Sequence, residues 1–188
     1  AGSIYDYNHT FNIYDFSAAK ISKIFEDRDS NIWLGCYYRG VLMLSKELTQ
    51  FNFWNFKKES NKITGAVISI CKDYQGFVWT CVDNEGVYKF DTQGKIITNF
   101  TQLKKVKVLF EDSQKSLWVG TSHGVGKMDK NTGLINYIPT ITNKQIKFLA
   151  EDKKFNLYIS VLGDGFYRLN LKSGKINLPR ITQSERHQ

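Results

Sequence analysis

Long apolar runs are missing from this sequence, and nowhere do the roughly 18 consecutive apolar residues of a membrane-spanning helix occur. The opening Ala1-Gly2-Ser3-Ile4 has neither a basic n-region nor an apolar h-region, and reads as the start of a mature or trimmed fragment. That carries no information about compartment. Histidine is scarce, and His9, His123 and His187 occupy unrelated places, so no Ser/His/Asp or Cys/His catalytic set is legible. Cysteine is equally scarce. Cys36, Cys71 and Cys81 cannot all pair, and their spacing fits neither a zinc ribbon nor a redox C-x-x-C. Cys71 and Cys81 flank a turn and could face each other across an antiparallel pair, but small buried hydrophobes are the simpler reading. The net charge of +8 comes without an Arg-rich helix or a nucleic-acid motif. Its lysines are scattered, with only short clusters such as Lys57-Lys58, Lys104-Lys105 and Lys153-Lys154. They read as a solvated surface that also guards strand edges, and no nucleic-acid partner is expected.

What is present is a repeat. The stretch Glu26 to Leu44 reads as a strand end, a tight polar turn, an apolar strand around Trp33, a second turn closed by Gly40, and a third strand. Three more stretches have the same pattern: Lys72 to Phe90, Glu111 to Met128, and Glu151 to Leu169. A turn aspartate (Asp27, Asp73, Asp112, Asp152) is followed six residues later by Trp33, Trp79, Trp118 or Tyr158. The rings lie 46, 39 and 40 residues apart (33 to 79, 79 to 118, 118 to 158). Self-similarity at this period, with several short strands per unit, is the signature of a propeller-type repeat.

The fold class expected is therefore all-β, a β-propeller of four-stranded antiparallel blades. In the second unit the strands run from Ala66 to Cys71, Phe77 to Val82, Val87 to Phe90 and Lys95 to Phe100, with Asp/Asn/Gly turns between them. Short runs such as Ile32-Trp33-Leu34 are nearly continuous in apolar character, which suits sheets buried on both faces. The four rings are accordingly assigned to the core, where each burial is worth about 2–3 kcal/mol. Phe11 to Phe16 echoes Phe51 to Phe56, the outer strand of the first unit, while the last outer strand is expected around Lys175 to Thr182. Five outer strands against four inner sets imply an arc of about four blades from a larger propeller. Residues 1–19 then hold the outer strand of a preceding blade and a linker, and the blade repeats follow at 20–60, 61–103, 104–142 and 143–188. Exposed end faces would be covered by the remaining blades or by another copy of the chain.

These units resemble two-component regulator propeller repeats. The resemblance rests on Ile21-Ser22-Lys23-Ile24-Phe25-Glu26-Asp27 with Ile32-Trp33-Leu34-Gly35, on Val108 to Asp112 with Leu117-Trp118-Val119-Gly120-Thr121, and on Gly86-Val87-Tyr88-Lys89-Phe90-Asp91. The turn glycine of that pattern is kept at Gly76 and replaced by Ser30, Lys115 and Phe155 elsewhere. The resemblance implies seven-bladed propellers in the periplasmic sensor region of hybrid two-component systems, ahead of a membrane helix and a histidine kinase. It implies oligosaccharide sensing as the role, with contact to the membrane only through parts of the parent protein that are not in this chain.

Propellers bind ligands through the loops on one face. The loops between second and third strands are the candidates: Tyr37-Tyr38-Arg39, Asp83-Asn84-Glu85, Ser122-His123 and Leu162-Gly163-Asp164, joined by the linkers 57–62 and 143–145. Tyr37, Tyr38 and Arg39 form the sharpest set, because aromatic faces stack on sugars and Arg can hold an acidic group bidentately. The ligand-binding expectation is Tyr37, Tyr38, Arg39, Asp83, Asn84, Glu85, His123 and Asp164. An exposed turn with ordinary tyrosine packing is the bland alternative. Asp27-x-Asp29-x-Asn31 resembles the start of a calcium loop, but lacks its glycine and distal Glu and reads as an Asx-turn. No metal, cofactor or catalytic residue is expected. A propeller enzyme (a lyase or glycoside hydrolase) and a protein-interaction scaffold are the rival functions.

Overall fold

In a computed structural model of the chain, residues 20–37, 40–44, 51–54 and 65–178 are described. Every regular element among them is a strand. The first sheet holds β1 (Ile21–Glu26), β2 (Ile32–Cys36), β3 (Gly40–Leu44) and β4 (Phe51–Trp54). The second holds β5 (Val67–Lys72), β6 (Val78–Val82), β7 (Gly86–Phe90) and β8 (Ile96–Phe100). The third holds β9 (Val106–Glu111), β10 (Leu117–Thr121), β11 (Gly124–Met128) and β12 (Ile135–Thr142). The fourth holds β13 (Ile146–Glu151), β14 (Asn156–Val161), β15 (Gly165–Asn170) and β16 (Ile176–Asn177). Each sheet is ordered as the chain runs, which is the four-stranded antiparallel meander of a propeller blade. The chain divides into two compact units, Ala1–Leu109 and Phe110–Gln188, with the division inside β9.

One hydrogen-bonded device builds every β1–β2-type turn. Oδ1 of the turn aspartate accepts the backbone N–H groups two and four residues on: Asp29 and Asn31 on Asp27 (2.9 and 3.0 Å), Gln75 and Phe77 on Asp73 (3.0 and 3.0 Å). Gln114 and Ser116 on Asp112 (2.9 and 2.8 Å), and Lys154 and Asn156 on Asp152 (2.8 and 2.9 Å), repeat it. Oδ2 then accepts the ring donor six residues on: Trp33 and Trp79 Nε1 at 2.9 Å, Trp118 Nε1 at 2.7 Å, Tyr158 Oη at 3.2 Å. A carboxylate that accepts three donors can be buried at little cost. Asp27, Asp73 and Asp112 are indeed buried. The calcium-like triplet at Asp27 is thus an Asx-turn. The fourth residue of each turn has positive φ whether or not it is glycine: Ser30 63°, Gly76 89°, Lys115 68°, Phe155 62°.

Trp33, Trp79 and Trp118 lie in the core. The ring of the fourth blade departs from that expectation: Tyr158 is only half-buried, tilted against Phe166 with ring centroids 5.9 Å apart. Cations cover two of the rings from the third strand of the same blade, Lys89 Nζ 5.1 Å from the centre of Trp79 and Lys127 Nζ 5.1 Å from that of Trp118. Some of the scattered lysines therefore cap aromatic rings. None of the three cysteines is in a disulfide, and all three are buried. Cys71 pairs in register with Trp79, and Cys81 with Ser69, so the two thiols do not oppose each other across β5 and β6. Burial pushes the Cys81 thiol well above its usual range.

The first strands of blades 1, 2 and 4 share a register shift, between Ile21 and Lys23, Val67 and Ser69, and Ile146 and Phe148. A bulge there puts residues three apart, such as Val67 and Ile70, on one face of the sheet. In the first unit that face of β5 packs with Trp33 of the preceding blade. The approach is close: a Cβ on Gly35 would lie 3.1 Å from Cγ1 of Val67. The Ser22 hydroxyl, at the bulge in β1, reaches the carbonyl oxygens of both Gly35 and Val67.

Candidate functional site

Antiparallel pairing places the loop between second and third strands at the opposite end of each sheet from the aspartate turn. One hydrogen bond closes that end in three blades. The N–H after the second strand donates to the carbonyl before the first: Tyr37 to Lys20 (2.9 Å), Asp83 to Ala66 (2.8 Å), Leu162 to Gln145 (2.9 Å). The loop therefore lies against the linker that enters its own blade.

In blade 1, Tyr37 is exposed. Tyr38 and Arg39 lie outside the described residues. In blade 2, Asp83, Asn84 and Glu85 share one turn, with Asn84 at φ 60°. The side chains of this turn bind the surrounding scaffold. Asp83 Oδ1 takes Lys107 Nζ at 2.6 Å, and Glu85 Oε1 accepts the Gly65 N–H at 2.6 Å. Tyr88 also hydrogen-bonds Glu85, and burial together with that carboxylate raises the phenol's pKa.

In the second unit, the linker residues Asn143 and Lys144 join the two remaining candidates. Asn143 N–H donates to the His123 carbonyl at 2.7 Å, while Lys144 Nζ pairs with Asp164 Oδ2. The same Oδ2 accepts the Tyr167 hydroxyl at 2.7 Å. Hydrogen bonds from Lys144 and Tyr167 hold the Asp164 carboxyl below its usual range, and the Asp164 carboxylate raises Lys144. The His123 ring lies beside the Ser122 hydroxyl, Nδ1 to Oγ 2.8 Å, and is open to solvent. This end of blades 3 and 4 thus offers an imidazole, a hydroxyl, an ammonium and a carboxylate, all suited to hydrogen-bonding a polyhydroxylated or acidic ligand.

Sequence reasoning missed Tyr88 and Tyr167. A signal was there: Glu85-Gly86-Val87-Tyr88 and Asp164-Gly165-Phe166-Tyr167 place an acid three residues before a tyrosine at the same point in two blades. It missed the Lys107 partner of Asp83 as well, which lies 24 residues away. A cleft of about 380 Å³ opens at the aspartate-turn end of the second unit, lined by Trp118, Lys127, Tyr137, Leu169 and Asn170 among others. None of the six expected ligand residues that are described lines it.

Residues 15–38 match the family described as two component regulator propeller. Over those residues the chain is similar to that family's repeat. The solved structures it resembles are propellers. The extracellular domain of a hybrid two-component system from B. thetaiotaomicron matches at 18% identity and TM-score 0.51, over 88% of this chain and 29% of that one. A streptogramin B lyase matches at 18% identity and TM-score 0.65, over 85% of this chain and 54% of that one. PorZ, a surface component of the type-IX secretion system of Porphyromonas gingivalis, matches at 14% identity and TM-score 0.60, over 85% and 27%. The chain thus spans between about a quarter and about half of these structures. Comparison with curated proteins gives no match.

Proposed function

We propose that this chain is part of the extracytoplasmic sensor propeller of a two-component signalling protein, with its kinase outside these residues. The observation that carries the reading is the regulator-propeller repeat at residues 15–38. Likeness to the extracellular domains of hybrid two-component systems supports it. In each compact unit the ligand loops are those opposite the aspartate turns, Tyr37 and Asp83 in one and His123 and Asp164 in the other, and the ligand class is an oligosaccharide. Its support is chemical. These loops differ from blade to blade while the aspartate turns repeat, and they present carboxylates, an ammonium and an imidazole to hydroxyl-rich surfaces. A relative that is a lyase shares the fold, and that likeness is the ground for an enzyme reading.

Titration calorimetry with neutral and acidic oligosaccharides on the complete ectodomain is the test. Saturable binding that weakens at least tenfold on combined Asp164→Ala and Lys144→Ala substitution is expected. Saturable binding unaffected by those substitutions would place the ligand elsewhere. Turnover of a saccharide would favour the lyase or hydrolase reading.

A further inference from the structure

The wedge between neighbouring blades is filled in the first unit and open in the second. Between blades 1 and 2, Trp33 and Val41 pack with Val67, Ile70, Val78 and Phe90, and Met43 and Ile96 close the rim. Register gives the counterparts in blades 3 and 4: Trp118 for Trp33, Lys127 for Met43, Leu169 for Phe90 and Ile176 for Ile96. Two of these exchanges open the wedge. A leucine stands where the buried Phe90 ring stands in blade 2, and an ammonium where blade 1 has the Met43 thioether. All four counterparts line the cleft of about 380 Å³.

The cleft has two unlike walls. Trp118, Lys127 and Asn136 are paired in register across β10, β11 and β12, so they share one face of blade 3. Leu169 and Ile176 are paired across β15 and β16 and, with Leu171, give blade 4 an apolar wall. Lys127 Nζ lies over the Trp118 ring and donates to Ser116 Oγ at 3.1 Å. Among the described residues no carboxylate pairs with it, and an ammonium has three donors. Asn170, at the rim, is already committed: its amide donates to Asn156, and its carbonyl oxygen accepts from Ser173. The apolar wall is the face of blade 4 that meets blade 3. A blade following the fourth would pack on the other face and leave the cleft open.

We propose that this cleft binds a small aromatic carboxylate. The ligand's ring takes the space that the Phe90 side chain fills in blade 2, against Trp118, Leu169 and Ile176, and its carboxylate accepts from Lys127 Nζ. The volume is near the lower end of the roughly 300–1,000 Å³ of small-molecule sites, which suits about one or two fused rings. A wall of Leu169, Leu171 and Ile176 has no side-chain partner for the hydroxyls of a sugar. The site lies at the aspartate-turn end, away from Lys144 and Asp164, and does not depend on an oligosaccharide binding there.

The test is titration calorimetry of the full chain with naphthoate, and with the uncharged naphthamide as control. Naphthoate should bind saturably and at least about tenfold more tightly than naphthamide. Lys127→Gln should remove that difference by weakening the acid alone. Leu169→Phe restores the ring of blade 2, and should weaken acid and amide alike by at least about tenfold without lowering Tm. The combined Asp164→Ala and Lys144→Ala substitution should leave naphthoate binding unchanged, so this site and the saccharide loops can fail separately. No binding of naphthoate overturns the proposal. So does equal affinity for acid and amide, binding that Leu169→Phe leaves intact, or binding lost with Asp164 and Lys144. The acid–amide comparison is made on the unaltered chain, so it decides the charge contact even if a variant fails to fold.

Discussion

At the residue scale, the turn aspartate governs this chain. Its spacing to the ring six residues on is plain in the sequence, but the bond between them is not. Sequence reasoning treats Asp27 as a turn former and Trp33 as core filler; only the folded backbone shows one carboxylate serving both. Protonation should therefore register in stability. At Asp152, hydrogen bonds from the Asn156 side chain and backbone, joined by Lys154 N–H and the Tyr158 hydroxyl, pull the carboxyl down to about 2. At Asp27, burial pushes the carboxyl up, but Asn31, Trp33 and Lys72 together hold it below its usual range. An unfolded aspartate titrates near 3.9. These groups bind a proton more readily unfolded than folded, so their stabilisation is complete above pH ~4 and is lost as pH falls towards ~2. Urea midpoints measured across that window should drop steeply for the wild type and less steeply for Asp152→Asn. Equal slopes would mean that the Asp152 carboxylate does not stabilise the turn.

At the element scale, strands and turns were legible because short apolar runs alternate with Asp, Asn and Gly. The second blade shows how closely: β5 is Val67–Lys72 against an expected 66–71, and β7 is Gly86–Phe90 against 87–90. The left-handed residue in the aspartate turn was legible only at Gly76. Ser30, Lys115 and Phe155 adopt the same conformation because the aspartate's hydrogen bonds over-determine the turn, and each bears the steric cost of a Cβ there. Ser30→Gly should remove that cost and stabilise the protein by about 0.5–1 kcal/mol, after the extra freedom of glycine in the unfolded chain is subtracted. That corresponds to a rise in Tm of about 1–4 °C for a chain of this length. Thermal denaturation followed by circular dichroism can read it, and a fall in Tm would show that the left-handed backbone at Ser30 carries no such cost. The loops at the other end were legible as loops but not as sites. Their side-chain partners come from linkers and third strands, as with Lys144, Tyr88 and Tyr167, and such contacts depend on register rather than on local composition.

At the scale of the whole molecule, repetition makes stability nearly one-dimensional, a sum of blade terms and neighbour terms. Blades with both faces covered should be the last to open. In β6 and β10 every residue is buried, and β7 and β11 each have four of five buried. By contrast β1 has no buried residue, and β15 has two of six. Local opening samples the weakest cooperative units first, so amide exchange should rank the strands in that order. At low protein concentration, β1 and β15 should exchange about a hundredfold faster than β6 and β10, a gap of roughly 3 kcal/mol in opening free energy. Exchange in β1 as slow as in β6 at low concentration would mean that its open apolar face costs the blade nothing. The repeat would then be stabilised within each blade by its aspartate turn rather than by the blade beside it.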